Sequence, residues 1–181
     1  VRPVRGYKER FVMGMDEKSI SHLPADKQAF WRHHGQSVFG ERLAQCILNK
    51  FGPYIQARFQ NTPNVELYHE TLLIQDTTNY SIGPHTDSPR KVVSVLFYLP
   101  RDESQAELGT SIYLPKDQNF TCIGGPHHAF EPFDRMCTMP FMPNSVFAFL
   151  KTHNSFHGVE KVLQDNCHRW LMLFDLYVRQ A

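Results

Sequence analysis

Two periodicities divide the chain. Over residues 20–51, Phe30, Trp31, Val38, Phe39, Leu43, Ile47 and Leu48 recur at roughly helical spacing, which predicts helix. Pro24 and Asp26 suit a first turn, Gly35 is placed to split the stretch into two helices, and Gly52-Pro53 is placed to end it. From about residue 64 the pattern changes to short apolar and aromatic runs. These predict strands over 65–76, 91–99, 109–114, 119–123, 135–139, 145–150 and 168–178. Turn signals separate them, among them Gly83-Pro84, Pro100-Arg101-Asp102, Gly124-Gly125-Pro126 and Pro143-Asn144. Many short strands after a helical lead predict a mainly β fold, a sandwich or jelly roll, with the N-terminal helices packed on one sheet. With 181 residues and no repeat or linker, the expectation is a single domain over 1–181, with 20–51 as helical support and 65–178 as the β core.

Composition narrows the function more than the fold. Hydrophobic residues at 41% and charged residues at 20% provide for a sizeable core and exclude a disordered chain. A net charge of +1 offers no general attraction to nucleic acid or to an anionic membrane. No apolar run approaches the roughly 20 residues that span a bilayer. The basic start, Val1-Arg2-Pro3-Val4-Arg5, has no apolar stretch behind it and does not read as a secretory signal. The lack of an initial Met leaves open a missing leading segment. Four cysteines without a CxxC predict a reducing, cytoplasmic compartment, with the thiols as small core residues. There is no GxxxxGK phosphate loop, GxSxG elbow or HExxH motif.

The segment Gly83-Pro84-His85-Thr86-Asp87-Ser88 carries a His-x-Asp. On a strand, residues i and i+2 face the same side, so an imidazole and a carboxylate can converge on one metal ion. Chance alone supplies about half of one such triplet in a chain with 10 His and nine Asp, so its weight rests on its company. His157 follows the apolar run 145–150 and offers a third ligand; Arg169, inside the strand 168–178, offers a cation that does not titrate. Arg169 shares a strand face with Leu171 and Leu173, a costly place for a charge unless an anion meets it, either a bound carboxylate or a protein acid at the barrel rim. Two His and one carboxylate leave three open positions, the geometry of non-haem Fe(II) oxygenases. An oxo acid can chelate through two of these, O2 can take the third, and the fork of an Arg suits the far carboxylate.

The order His85-x-Asp87, His157, Arg169 resembles the Fe(II)/2-oxoglutarate-dependent dioxygenases. The run Lys91–Pro100 is similar to the strand after HxD in the prolyl-hydroxylase-like branch, Gly109–Pro115 to its next strand, and Pro143–Phe149 to the strand before the distal His. The resemblance covers residues 65–178. It implies a double-stranded β-helix with iron held by His85, Asp87 and His157 at its open end, and Arg169 on the far carboxylate of 2-oxoglutarate. Tyr98 and Gln75 stand where that branch has cosubstrate contacts; Leu96 and Ser94 share Tyr98's strand face and are expected to line the same pocket. The implied reaction uses O2 to decarboxylate 2-oxoglutarate and hydroxylate a C–H bond. Three departures stand out. The turn between His157 and Arg169 is long, Leu171 occupies the Ser position of the plant-type Arg-x-Ser, and Asp175 stands where the nucleic-acid demethylases place a second Arg. The last argues against alkylated nucleic acid as substrate.

Several residues keep two readings. His153 rivals His157 as distal ligand, and His157 is preferred because Val159 and Val162 lead into the last strand. His127-His128 is either a solvated loop or a substrate contact at the barrel mouth, and Tyr80 is either a lid or a packing residue. Arg90 and Lys91 either meet an anionic substrate or are solvated. The expected substrate is a small molecule, with a protein side chain as the alternative. A second class is a cupin-type jelly roll that binds metal without oxygenase activity; it has no need of a buried Arg169. Oligomeric state is not legible.

Overall fold

The computed structural model describes residues 2–62 and 64–179. It begins with two strands, β1 (Arg2–Pro3) and β2 (Arg10–Gly14), and three helices, α1 (Glu17–Ile20), α2 (Ala25–Val38) and α3 (Glu41–Phe59). Eight strands follow: β3 (Leu67–Thr77), β4 (Ile82–His85), β5 (Lys91–Tyr98), β6 (Ser111–Pro115), β7 (Phe133–Thr138), β8 (Ser145–Leu150), β9 (His157–Val159) and β10 (His168–Val178). They form two antiparallel sheets, one in the order β1-β2-β3-β10-β5-β8 and one in the order β4-β9-β6-β7. The chain therefore passes repeatedly from sheet to sheet. β3, β5, β8 and β10 lie in the larger sheet, and β4, β6, β7 and β9 in the smaller one.

Period-two alternation puts apolar residues on both faces of the larger sheet. Met172, Phe174 and Leu176 of β10 join Val93 and Val95 of β5 against Phe39, Ile47 and Ile55 of the helical layer. Leu171, with Ile74, Leu96 and Tyr98, faces the other way, toward Phe141 and the interior between the sheets. The expected support of one sheet by the N-terminal helices is thus present.

The helical boundaries differ from expectation. The break falls at Phe39-Gly40, with Gly35 inside α2, and α3 runs through Gly52-Pro53 to Phe59. Pro53 leaves one carbonyl a turn earlier without its usual donor, at a cost of about 3 kcal/mol. Ile47 and Ile55, buried on either side of it, keep the helix on the sheet. Residues 119–123 form no strand; Phe120 instead packs as a loop residue on Phe133 and Phe156. Four strands, β1, β2, β4 and β9, were not expected. Cys46 and Cys137 are exposed and Cys167 is buried, so the thiols are not uniformly core residues.

Pro53 is exposed, so its replacement by Ala restores a backbone donor without opening a cavity. Pro53→Ala is expected to raise stability by about 1–3 kcal/mol in urea unfolding. A destabilised variant would mean that α3 needs a proline bend to reach the sheet.

Candidate active site

His85 ends β4 and His157 begins β9, and the two are cross-strand partners. Their ring centroids lie 4.3 Å apart. Asp87 reaches them by a route different from the expected one. β4 has already ended, and Asp87 adopts a left-handed backbone, φ 65°, so a turn and not strand alternation aims its carboxylate. Asp87 Oδ1 lies 3.6 Å from His85 Nε2, and Oδ2 lies 3.5 Å from His157 Nε2. One ligand atom from each of the three falls within 4.8 Å of the others. His153 lies outside this cluster.

Both imidazoles are oriented by the backbone. His85 Nδ1 lies 2.9 Å from Gly83 O and His157 Nδ1 lies 3.0 Å from Ser155 O. A carbonyl only accepts, so each Nδ1 carries the proton and each Nε2 turns a lone pair toward Asp87. Burial, aided by the neighbouring His85, pushes the His157 imidazole down to about 4. Burial alone would raise the Asp87 carboxyl, but the adjoining His85 imidazole and the positive charge of Lys91 hold it well below the usual carboxylate range. Lys91 Nζ sits 3.2 Å from Asp87 Oδ1 and 3.0 Å from Asp175 Oδ2, and Ser94 Oγ donates to Asp87 Oδ2 at 3.4 Å. Lys91 is therefore part of the site and not a solvated charge.

The cluster opens into a cavity of about 90 Å³ between the sheets, also lined by Ile74, Leu96, Thr110, Phe149, Leu171 and Arg169. Arg169 is 1% exposed, and its guanidinium lies over the Phe141 ring at 4.6 Å and 5.9 Å from the Tyr98 ring centre. An acid does meet it: Nη1 donates to Asp76 Oδ2 at 2.6 Å, and Nε donates to Leu108 O at 2.6 Å. Asp76 also takes the fork of Arg10, whose Nε and Nη2 lie 2.6 and 2.9 Å from its two oxygens. Two arginines thus share one carboxylate.

The remaining expectations divide. Leu96 lines the cavity, as does Ser94. Tyr98 is buried beside Arg169, and its hydroxyl accepts from Thr110 N at 3.2 Å. Gln75 does not reach the cavity. Its neighbours Ile74 and Asp76 take the inward face of β3, so it points outward, with Nε2 2.8 Å from His168 Nδ1. Tyr80 is fully buried, with Arg10 over its ring, and is a packing residue. His127 is exposed beside the cluster: its ring centroid lies 4.6 Å from that of His85, and Tyr7 Oη contacts its Nδ1. Its loop is seated on β4 and on the turn that carries Asp87. His128 N donates to Pro84 O, and Gly124, at φ 134°, leaves Asp87 O in space that a Cβ would fill at 2.0 Å. Sequence reasoning missed Arg10, Asp76 and Thr110. The first lies outside the recognised segment, and the other two carry no motif of their own.

No family profile matches the sequence, and no curated protein is significantly similar to it. Among solved structures, the molecule resembles a prolyl-4-hydroxylase from Pseudomonas putida, at 14% identity and a TM-score of 0.54, over 98% of this chain and 77% of the other. This chain shares its fold with a prolyl-4-hydroxylase. Weaker likenesses, each at a TM-score of 0.49, are to a 2OG-Fe(II) oxygenase family oxidoreductase from Burkholderia pseudomallei (12% identity, 97% of this chain, 71% of that one) and to HygX from Streptomyces hygroscopicus (14%, 97% and 72%). HygX was solved with nickel and 2-oxoglutarate bound. The prolyl-4-hydroxylase likeness extends beyond residues 65–178 and includes the N-terminal strands and helices.

The depressed His157 sets a pH dependence for the metal-free protein. Below pH 6.5 the unfolded chain protonates this imidazole while the folded one resists down to about pH 4. Stability is therefore expected to fall across that window by up to about 3 kcal/mol. His157→Gln should flatten the fall in urea midpoints measured between pH 7 and 4; an unchanged slope would place its origin elsewhere.

Proposed function

We propose that this chain is a non-haem Fe(II)- and 2-oxoglutarate-dependent dioxygenase, an oxidoreductase that hydroxylates a small molecule. We read the two sheets as one double-stranded β-helix, in a single domain with the N-terminal helices as its buttress. The observation that carries the reading is one cavity with a His-Asp-His cluster and a buried Arg169 among its walls. A cupin-type protein needs the first and not the second. The unpaired thiols support the reducing, cytoplasmic compartment in which such an enzyme would work.

The residues fit both groups. His85 Nε2, His157 Nε2 and one oxygen of Asp87 would hold the iron, and a charge of −1 from the carboxylate offsets part of the metal's. For the cosubstrate, Arg169 Nη2 has no hydrogen-bond partner among the described residues, and Thr110 Oγ1 is buried without one. Both are donors that the far carboxylate of 2-oxoglutarate would satisfy. Tyr98 packs beside them. Bound Fe(II) would supply activation of O2. In the overall reaction one oxygen atom enters the C–H bond of the substrate and the other enters succinate, with loss of CO2. The chain's own part is to orient and to exclude water. Lys91 and Ser94 restrain Asp87, while Ile74, Leu96, Phe149 and Leu171 keep the cavity apolar between its charged ends. His127, whose ring centroid lies 4.6 Å from that of His85, would meet a substrate that approaches the metal from that side.

Succinate release on a metabolite panel, with a peptide panel beside it, tests the reading. Asp87→Ala and His157→Ala are expected to abolish succinate formation and His153→Ala to leave most of it; the reverse order for the two histidines would mean a different distal ligand. Arg169→Ala should raise the 2-oxoglutarate requirement by about 30-fold or more, with iron binding little changed. Arg169→Lys should recover only part of this, because an ammonium cannot reproduce the fork. An alanine variant that binds 2-oxoglutarate as tightly as the parent would move the cupin reading to first place. Turnover confined to the peptide panel would replace the small molecule with a protein side chain.

A further inference from the structure

Arg169 is directly paired with a protein carboxylate, Asp76, which is fully buried. A buried one-to-one pair is electrically neutral, and its arginine has little charge left to attract a dicarboxylate. Asp76 is not in a one-to-one pair. The register of the larger sheet sets Arg10 of β2, Asp76 of β3 and Arg169 of β10 in one cross-strand row. Within that row the carboxylate is divided unequally. Arg10 grips both oxygens in a fork, at 2.6 and 2.9 Å, whereas Arg169 touches one oxygen through one nitrogen. Bidentate contact is the stronger mode, so the negative charge belongs chiefly to Arg10. The remaining positive charge, with Nη2 open, stays on Arg169.

We infer that Arg10 is a positioning residue for cosubstrate binding: it neutralises Asp76 and so keeps the Arg169 charge available to the far carboxylate of 2-oxoglutarate. The inference rests on the function proposed above and adds to it. A strand outside the implied β-helix becomes part of the cosubstrate site, and the site's charge is set by a count of two cations to one anion. The surroundings agree with that count. The aromatic faces of Phe141, Tyr98 and Tyr80 flank the two guanidiniums, and no second acid pairs with either among the described residues. Arg10 itself lines the cavity, and its side chain is 19% exposed against 1% for Arg169, so it is the more peripheral partner of the buried acid.

The test is calorimetric titration of 2-oxoglutarate into the Mn(II)-loaded full chain, with Mn(II) affinity measured separately. Arg10→Gln should weaken 2-oxoglutarate binding about tenfold or more while leaving Mn(II) affinity unchanged, because Asp76 then turns to Arg169. Adding Asp76→Asn to that variant should return affinity to within about threefold of the parent, since the carboxylate that competes for Arg169 is gone. Asp76→Asn alone should bind 2-oxoglutarate at least as tightly as the parent. A role in folding alone predicts the opposite pattern, in which every break in the row weakens binding and the double variant is worst; that pattern would overturn the inference, as would parental affinity in Arg10→Gln. If the parent itself shows no metal-dependent binding of 2-oxoglutarate, the proposed function fails and this inference fails with it.

Discussion

The site depends on one turn. β4 lies in the smaller sheet and β5 in the larger one, and the chain passes between them through residues 86–90. A left-handed Asp87 bends the turn so that its carboxylate faces both β4 and β9. Nothing in the strand pattern alone would put it there. The conformation is unfavourable for most residues, and Asp is among the few that tolerate it. The surrounding structure holds it in place. Thr86 is fully buried and donates to Cys122 O, Lys151 Nζ reaches Thr86 and Ile123 O, and Gly124 packs without a side chain against Asp87 O. The loop that carries residues 122–124 and the turn it packs on are thus one structural unit.

Around that turn, charge is handled by pairing and not by exposure. Lys91 bridges Asp87 and Asp175, both largely shielded from solvent. Arg10, Asp76 and Arg169 form a second group beside the same cavity. Single buried charges are expensive, and breaking a pair is more so. The larger sheet can carry both groups on its inner face because the part of its outer face that meets the helices is apolar. The two faces divide the work: one holds the fold together, and the other presents polar groups to the cavity.

How far the sequence could reveal this follows from the range of each signal. Strands β8 and β10 were legible to the residue because strong apolar runs end in turn chemistry. β4 and β9 were not, being short and rich in Gly and Pro, yet they carry both histidines. The histidines and Asp87 could be found because His-x-Asp, a later His and a later Arg recur in order. Their convergence through a left-handed turn could not, since dihedral choice at one Asp leaves no periodic trace. Gln75 was misplaced by spacing alone; strand parity, once the neighbouring Ile74 and Asp76 are seen to face inward, sends it outward. Arg10 and Asp76 were invisible because their meaning is a cross-strand contact between residues 66 positions apart. Helix α3 passed through Gly52-Pro53 because burial of Ile47 and Ile55 outweighs a local break, a tertiary effect that local signals do not carry.

The central claim is that the His-Asp-His cluster and the arginine-bearing cavity act together on one iron ion and one 2-oxoglutarate. Anaerobic titration of the Fe(II)-loaded protein with 2-oxoglutarate, followed by visible absorbance, addresses it directly. A weak charge-transfer band that grows and saturates with 2-oxoglutarate is the expected result, because chelation at the metal requires both halves of the site. Tight Fe(II) binding with no band at any 2-oxoglutarate concentration would contradict the account and leave a metal-binding β protein of another kind.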